Sequence, residues 1–220
     1  NDSAQGLPTL AAGVADLRSV SASGYFDTAG LPYAATAVAA AAAALGATRR
    51  VDIVGAAAAR AAAFLITNIE AARLHLPNLR TRPNDFDPDT RDRFLAGALA
   101  PGVWLVRAQQ TRRWFAERMA TLFREVDLII APATPFSAPA IGQTTMTLRG
   151  AEQLVRPNLG LLTQPFSCIG LPVAAAPVFA EGAPPIGVQL VAAPWREDLC
   201  LRAAQALHAA GVAVAHPPSG

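Results

Sequence analysis

Polar groups able to hold a substrate gather in one stretch of this 220-residue chain. It reads Asp127-Leu-Ile-Ile-Ala-Pro-Ala-Thr-Pro135, then Thr163-Gln-Pro-Phe-Ser-Cys-Ile-Gly-Leu-Pro172, then Pro185-Ile-Gly-Val-Gln-Leu190. Thr134, Thr163, Gln164 and Ser167 stand beside short apolar runs, where hydroxyl and carboxamide groups can face a ligand. Gln189 sits inside such a run, and a buried carboxamide needs hydrogen-bond partners. Apolar runs leading into or out of Pro, Gly, Thr or Gln are the pattern of buried strands whose ends carry a site. The same residues also read as turn bonds and a satisfied core amide, and composition alone does not choose between the two.

The usual reacting groups are missing. Ser21-Ala22-Ser23-Gly24 lacks the leading glycine of a nucleophile elbow and reads as a turn. His75, His208 and His216 are isolated, with no H-E-x-x-H, so no metal site is expected. Cys168 and Cys200 lie in apolar surroundings and read as buried free thiols in a reducing compartment. All 18 basic residues are arginine. A Schiff base, a phosphate-loop lysine and a lysine general base are therefore excluded from these residues. No Gly-rich phosphate loop is present, and no cofactor and no catalytic residue is assigned.

The totals describe a globular chain, with 52% hydrophobic and 15% charged residues and a net charge of +2. Basic runs stop at two residues (Arg49-Arg50, Arg112-Arg113), which argues against nucleic acid as a partner. The Ala-rich run from Ala34 to Ala47 is too short and too weakly apolar to span a bilayer, so no membrane partner is expected. The chain begins at Asn1 without a visible signal peptide and reads as a cytoplasmic protein, or part of one.

Helices and strands must position the polar groups. Asp16 to Ala22 alternates as a strand would, Pro32 opens a helix that closes at Gly46, and Val51 to Val54 is a short strand. That is the pattern of a crossover in a parallel sheet. A second helix runs from Ala56 to Leu76, ended by Pro77, with an irregular loop from Asn78 to Asp87. Asp87-Pro88 caps a third helix reaching about Ala100. A longer one follows from Trp104 to about Arg124, burying Trp104, Ala108, Phe115, Met119 and Leu122. Val126 to Ile130 is a buried strand, and Ala131 to Arg156 a long excursion without periodicity. Asn158 to Cys168 suits one or two helical turns. Val173 to Val178 and Ile186 to Ala192 form a hairpin. Glu197 to Ala210 is the last helix, with Leu199, Ala203, Ala206 and Ala210 facing the core, and Val212 to Val214 a final strand.

The chain resembles the C-terminal half of the amidase signature family. The marks are Arg93-x-x-x-Gly97, Ala108-Gln109-x-x-Arg112, the three segments quoted above, and Glu197-Asp-Leu199 opening the last helix. Each is weak alone; all six in this order are specific. Leu65-Ile-Thr67, Arg156-Pro-Asn-Leu-Gly-Leu-Leu162 and Ala193-Pro-Trp-Arg-Glu-Asp198 resemble the branch of 1-carboxybiuret hydrolases.

The resemblance implies an α/β fold, the C-terminal portion of an α/β/α sandwich with a mixed β-sheet flanked by helices. Residues 1–220 would be part of a single domain. It implies hydrolysis of a carboxamide C–N bond by a Ser–cis-Ser–Lys triad with a Gly-rich oxyanion loop. Those elements belong to the family's N-terminal half, so no catalytic residue carries over, and the chain alone is expected to be inactive. On the substrate side, Arg93 matches an arginine that resembles a carboxylate-binding group, its guanidinium suited to bidentate recognition. Thr134, Gln164 and Ser167 would line the far wall of the pocket, facing a serine that these residues do not contain. Glutamine-using relatives have an acid where Gly160 stands, and many relatives have Asn where Ser167 stands. The implied partners are a small amide substrate, a second copy of the full-length enzyme and a small accessory subunit. Two other readings are a catalytically silent binding module derived from an amidase, and part of a glutamyl-tRNA amidotransferase of the A type.

Overall fold

The structure, a computed structural model, describes residues 13–179 and 184–214. In chain order its first elements are β1 (Ser19–Ser23), α1 (Pro32–Ala44), β2 (Arg49–Asp52) and α2 (Ala56–Thr81). Then come α3 (Pro88–Leu99), α4 (Gly102–Leu122), β3 (Leu128–Pro132), β4 (Thr145–Leu148) and β5 (Ala151–Leu154). Two single turns, α5 (Val155–Asn158) and α6 (Gln164–Ser167), precede β6 (Val173–Val178), β7 (Ile186–Val191) and α7 (Glu197–Ala209). The chain divides into two compact units: Asn1–Val54 with Met119–Gly220, and Gly55–Arg118.

The first unit is built on a five-stranded mixed sheet in the order β2-β1-β3-β7-β6. β1 pairs parallel with β2 and β3; β7 runs antiparallel to both β3 and β6. The β1–α1–β2 crossover arises as the sequence suggests, from Pro32 at the start of an alanine-rich helix and Gly46 (φ +66°) just past its end. Leu128 and Ile130 of β3 and Ile186, Val188 and Leu190 of β7 pack with Ala34, Ala37 and Ala41 of α1 and Ala203 and Leu207 of α7. Alternate residues Ile129, Ala131, Gln189 and Val191 point to the other face and are also buried. A strand buried on both faces explains the near-continuous apolar run that the sequence shows there.

The second unit is helical. Asp87 caps α3 by accepting from the main-chain N–H of Thr90 at 3.1 Å. Gly97 lets α3 cross α2 closely, since a Cβ there would lie 2.2 Å from the carbonyl oxygen of Asn68. Gly55 takes φ +96° at the start of α2, and a Cβ there would meet the Trp114 ring at 2.5 Å.

Several sequence expectations change. α2 does not stop at Pro77 but continues to Thr81. The proline removes one helical bond, a cost of about 3 kcal/mol. The extra turn buries Leu79, offsetting about 2 kcal/mol of it. Trp104 is half exposed on α4, whose buried positions are Ala108, Phe115 and Met119. The excursion after β3 contains the β4–β5 hairpin, whose Arg149-Gly150 turn has positive φ at both residues. β4 alternates as Thr-Met-Thr-Leu over only four residues and β5, Ala-Glu-Gln-Leu, does not alternate, so neither announces itself as a strand. Residues 212–214 are turn rather than strand, and Leu207, not Ala210, closes the apolar face of α7. Cys168 is partly exposed, while Cys200 is buried. The residues before Gly13, the middle of the β6–β7 connection and His216 lie outside the described residues.

Candidate functional site

Because β1 and β3 are parallel and β7 is antiparallel to them, the C-terminal ends of β1 and β3 and the N-terminal end of β7 share one edge of the sheet. Thr134 sits there, two residues past β3, half-buried between buried Ala133 and Pro135. The Ala133 N–H donates to the Gly187 carbonyl at 2.8 Å, extending the ladder to the residue before Thr134.

Gln189 joins this edge to the second polar segment. It is 2% exposed, and its Nε2 donates to the carbonyl of Pro132 at 2.9 Å and to that of Leu162 at 3.0 Å. One carboxamide therefore fixes the chain two residues before Thr134 and two residues before Gln164. Gln189 is a satisfied core amide, and its partners are the main chain just before Thr134 and Gln164.

Two further contacts hold the second segment. The Tyr25 hydroxyl donates to the Leu161 carbonyl at 3.0 Å. Phe26 and Phe166 stack with centroids 4.8 Å apart and 11° between planes. Tyr25 and Phe26 follow β1 closely, so the end of β1 and the Gln189 side chain of β7 both reach residues 161–166. Sequence reading missed this pair; the signal was two adjacent aromatics just after a strand and its Ser23-Gly24 break.

Within the segment, α6 presents its side chains unequally. Gln164 is half-buried, with its Oε1 buried and without a hydrogen-bond partner. Its carboxamide fills the space over Gly160, where a Cβ would lie 3.3 Å from its Cγ, Cδ and Nε2. Ser167 is exposed, and its hydroxyl donates to the Gln164 carbonyl at 3.3 Å. Thr163 donates to the Gly160 carbonyl at 3.4 Å. The structure thus gathers Thr134, Gln164 and Ser167 at one sheet edge.

Asp127 heads the same motif as Thr134 but lies at the other end of β3. Its carboxylate accepts from Arg18 Nε at 2.9 Å and Nη2 at 2.7 Å, and from the Arg18 main-chain N–H at 2.9 Å. Those bonds hold the Asp127 carboxyl below the usual carboxylate range. This residue clasps the starts of β1 and β3 together.

Arg93 belongs to the helical unit. Its guanidinium carbon lies 4.9 Å from the centroid of the Phe64 ring, and its Nε is buried without a hydrogen-bond partner. A guanidinium held by an aromatic face keeps its edge for an anion. Among the described residues no group of three or more His, Cys, Asp or Glu could hold a metal ion.

Residues 28–201 match the Amidase family. The chain belongs to the amidase family. It is 49% identical over 210 residues to AtzE, a 1-carboxybiuret hydrolase subunit of Pseudomonas sp. (strain ADP), covering 94% of this chain and 46% of that protein. To the A-type subunit of the glutamyl-tRNA(Gln) amidotransferase of Akkermansia muciniphila it is 33% identical over 137 residues, 58% of this chain and 28% of that one. A solved structure described as a vestigial protein complex that reveals the origins of an s-triazine catabolic enzyme superposes with a TM-score of 0.90. It has 49% identity and covers 94% of this chain and 46% of its own. The 6-aminohexanoate cyclic dimer hydrolase complexed with substrate shares the fold, at a TM-score of 0.73 and 22% identity, over 92% of this chain and 47% of its own. This amidase family chain therefore spans about half the length of the relatives it matches. Its mixed sheet flanked by helices is the architecture of those amidases.

Proposed function

We propose that this chain forms the substrate-facing portion of an amidase that hydrolyses a C–N bond of a small, urea-like, carboxylate-bearing amide such as 1-carboxybiuret. The observation that carries this reading is the 49% identity across 94% of the chain to AtzE of the 1-carboxybiuret hydrolase. The lower identity and shorter match to the tRNA-linked amidotransferases make that reading the weaker one.

In this reading, residues 1–220 are one part of a single amidase domain. Arg93, stacked on Phe64, takes the substrate carboxylate. Thr134, Gln164 and Ser167, in the sheet unit, are the hydroxyl and carboxamide groups suited to substrate binding there. Gln189, Tyr25 and the Phe26–Phe166 stack hold those residues in place, because positioning to within fractions of an ångström governs such reactions. Gly160 leaves no acidic group beside Gln164, which suits a substrate without an α-ammonium. The bond-breaking groups come from elsewhere. A Ser–Ser–Lys triad needs a lysine, and these residues contain none. The 220 residues alone are therefore inactive, and the complete enzyme works in the cytoplasm, in nitrogen release, as a homodimer with a small accessory subunit.

The test is to express residues 1–220 alone and together with the N-terminal half of the Pseudomonas relative, and to measure ammonia release from 1-carboxybiuret. The expected result is no release from the chain alone and restored release from the pair. Release from the chain alone at any pH overturns the division of labour. A pair that folds together yet spares 1-carboxybiuret and hydrolyses another amide overturns the substrate.

A further inference from the structure

The seam between α2 and α3 holds two buried polar atoms with no protein partner. Arg93 Nε is a donor without an acceptor, and Asn68 Oδ1 an acceptor without a donor. Asn68 is only 6% exposed. An orphaned buried polar atom costs about 1–3 kcal/mol, so a pair of them on one seam calls for a function.

The two belong to one place. Arg93 lies over Phe64, and Gly97, one turn after Arg93, lies against the main chain of Asn68, one turn after Phe64. Phe64 and Asn68 share a face of α2, and Arg93 and Gly97 share a face of α3. Gly97 brings the backbones together here: a Cβ would sit 2.2 Å from the Asn68 carbonyl oxygen. The seam therefore offers a guanidinium for a carboxylate and, close by, a carboxamide oxygen for an N–H.

We propose that Asn68 is a specificity-determining residue that accepts the N–H adjacent to a carboxylate held by Arg93, so that the site reads an N-carboxylated urea rather than a carbon-linked carboxylate. This rests on the reading of Arg93 as the carboxylate group. In an N-carboxylated urea the N–H is bonded directly to the carboxylate carbon, so both features reach the seam together. A carbon-linked acid has a methylene at that place, which leaves Oδ1 unpaired in the complex. The analogue lacking the N–H forgoes one hydrogen bond and leaves a buried acceptor unpaired, which disfavours it.

Urea-1-carboxylate and malonamate are matched probes, identical but for N–H against CH2. Their binding to the 220-residue chain is measured by ligand-observed NMR titration, in freshly prepared mildly alkaline solution. The wild type is expected to prefer urea-1-carboxylate by about tenfold, the ratio that one hydrogen bond of ordinary strength supplies. Asn68→Ser and Asn68→Leu are expected to bind the two equally, with malonamate affinity unchanged. Arg93→Gln is expected to lose both. Equal binding of the probes to the wild type, dependent on Arg93, overturns the role of Asn68 and leaves the carboxylate reading standing. Binding unaffected by Arg93→Gln, or none of either probe, overturns both. Should either Asn68 variant fail to fold, the wild-type comparison still decides.

Discussion

Gln189 in β7 is joined to Leu162, 27 residues earlier, by a 3.0 Å bond from its carboxamide nitrogen to the main-chain carbonyl. The same nitrogen reaches Pro132 at 2.9 Å. A side chain in the middle of a strand thus decides where two other segments lie. Gln189→Leu removes the donor and leaves both carbonyls buried and unpaired. At about 1–3 kcal/mol for each, the expected loss is about 2–5 kcal/mol in a denaturant midpoint measurement at constant m-value. Amide exchange is expected to rise across residues 160–168 before it rises in α7. A midpoint within a few tenths of a kcal/mol of wild type, judged against typical surface substitutions, shows that the clamp is dispensable.

Gly97→Ala puts a methyl group against the main chain of Asn68, 2.2 Å from its oxygen. A backbone neighbour cannot rotate away, so α2 and α3 must separate. Overpacking of this kind costs about 1–3 kcal/mol, which outweighs the roughly 1 kcal/mol that alanine gains over glycine inside a helix. The variant is expected to melt lower than wild type. A higher melting temperature contradicts the close crossing.

Asp127 and Arg18 predict an acid-sensitive clasp. Arg18 hydrogen bonds lower the folded-state pKa of Asp127. A group with a depressed folded pKa stabilises fully above its unfolded pKa, about 3.9, and that contribution is lost as pH falls through the folded value. The stability gap between wild type and Asp127→Asn is therefore expected at pH 7 and is expected to shrink toward pH 2. The Arg18 side chain is half exposed while that of Asp127 is about three-quarters buried, so added salt is expected to narrow the gap at pH 7 only in part. Urea midpoints at the two pH values measure it; an unchanged gap assigns the effect to packing.

Burial pushes the Cys200 thiol up to about 11. Its thiolate fraction at pH 8 is then on the order of a hundredfold below that of an ordinary thiol near 8.5. Mass spectrometry after brief iodoacetamide treatment is expected to find Cys200 unmodified in the native chain and fully modified after denaturation. Rapid native labelling places it outside the core.

The sheet was legible where residues carry their own instructions. Pro32 and Gly46 bracket α1, Asp87 caps α3, and the apolar runs at 128–131 and 186–191 become strands buried on both faces. The β4–β5 hairpin was not legible, because its strands are four residues each, only β4 alternates, and a two-residue positive-φ turn joins them. Nor was the passage of α2 through Pro77, where tertiary burial of Leu79 overrides a local penalty.

By itself the sequence determined the chemistry this chain can and cannot perform. Residue types do not depend on folding: without lysine in these 220 residues there is no lysine base among them, however they fold. The order of motifs also determined the family, since that order is a property of the chain. Only the tertiary structure decided which of those groups share a place. The motif beginning at Asp127 splits into a clasp at one end of β3 and Thr134 at the other. Gln189 finds its partners across a strand and a loop, and the orphaned atoms of Asn68 and Arg93 lie on two helices that cross at Gly97. Such relations depend on register, strand direction and helix separation, which follow from how the whole chain buries its apolar surface and not from any local spacing.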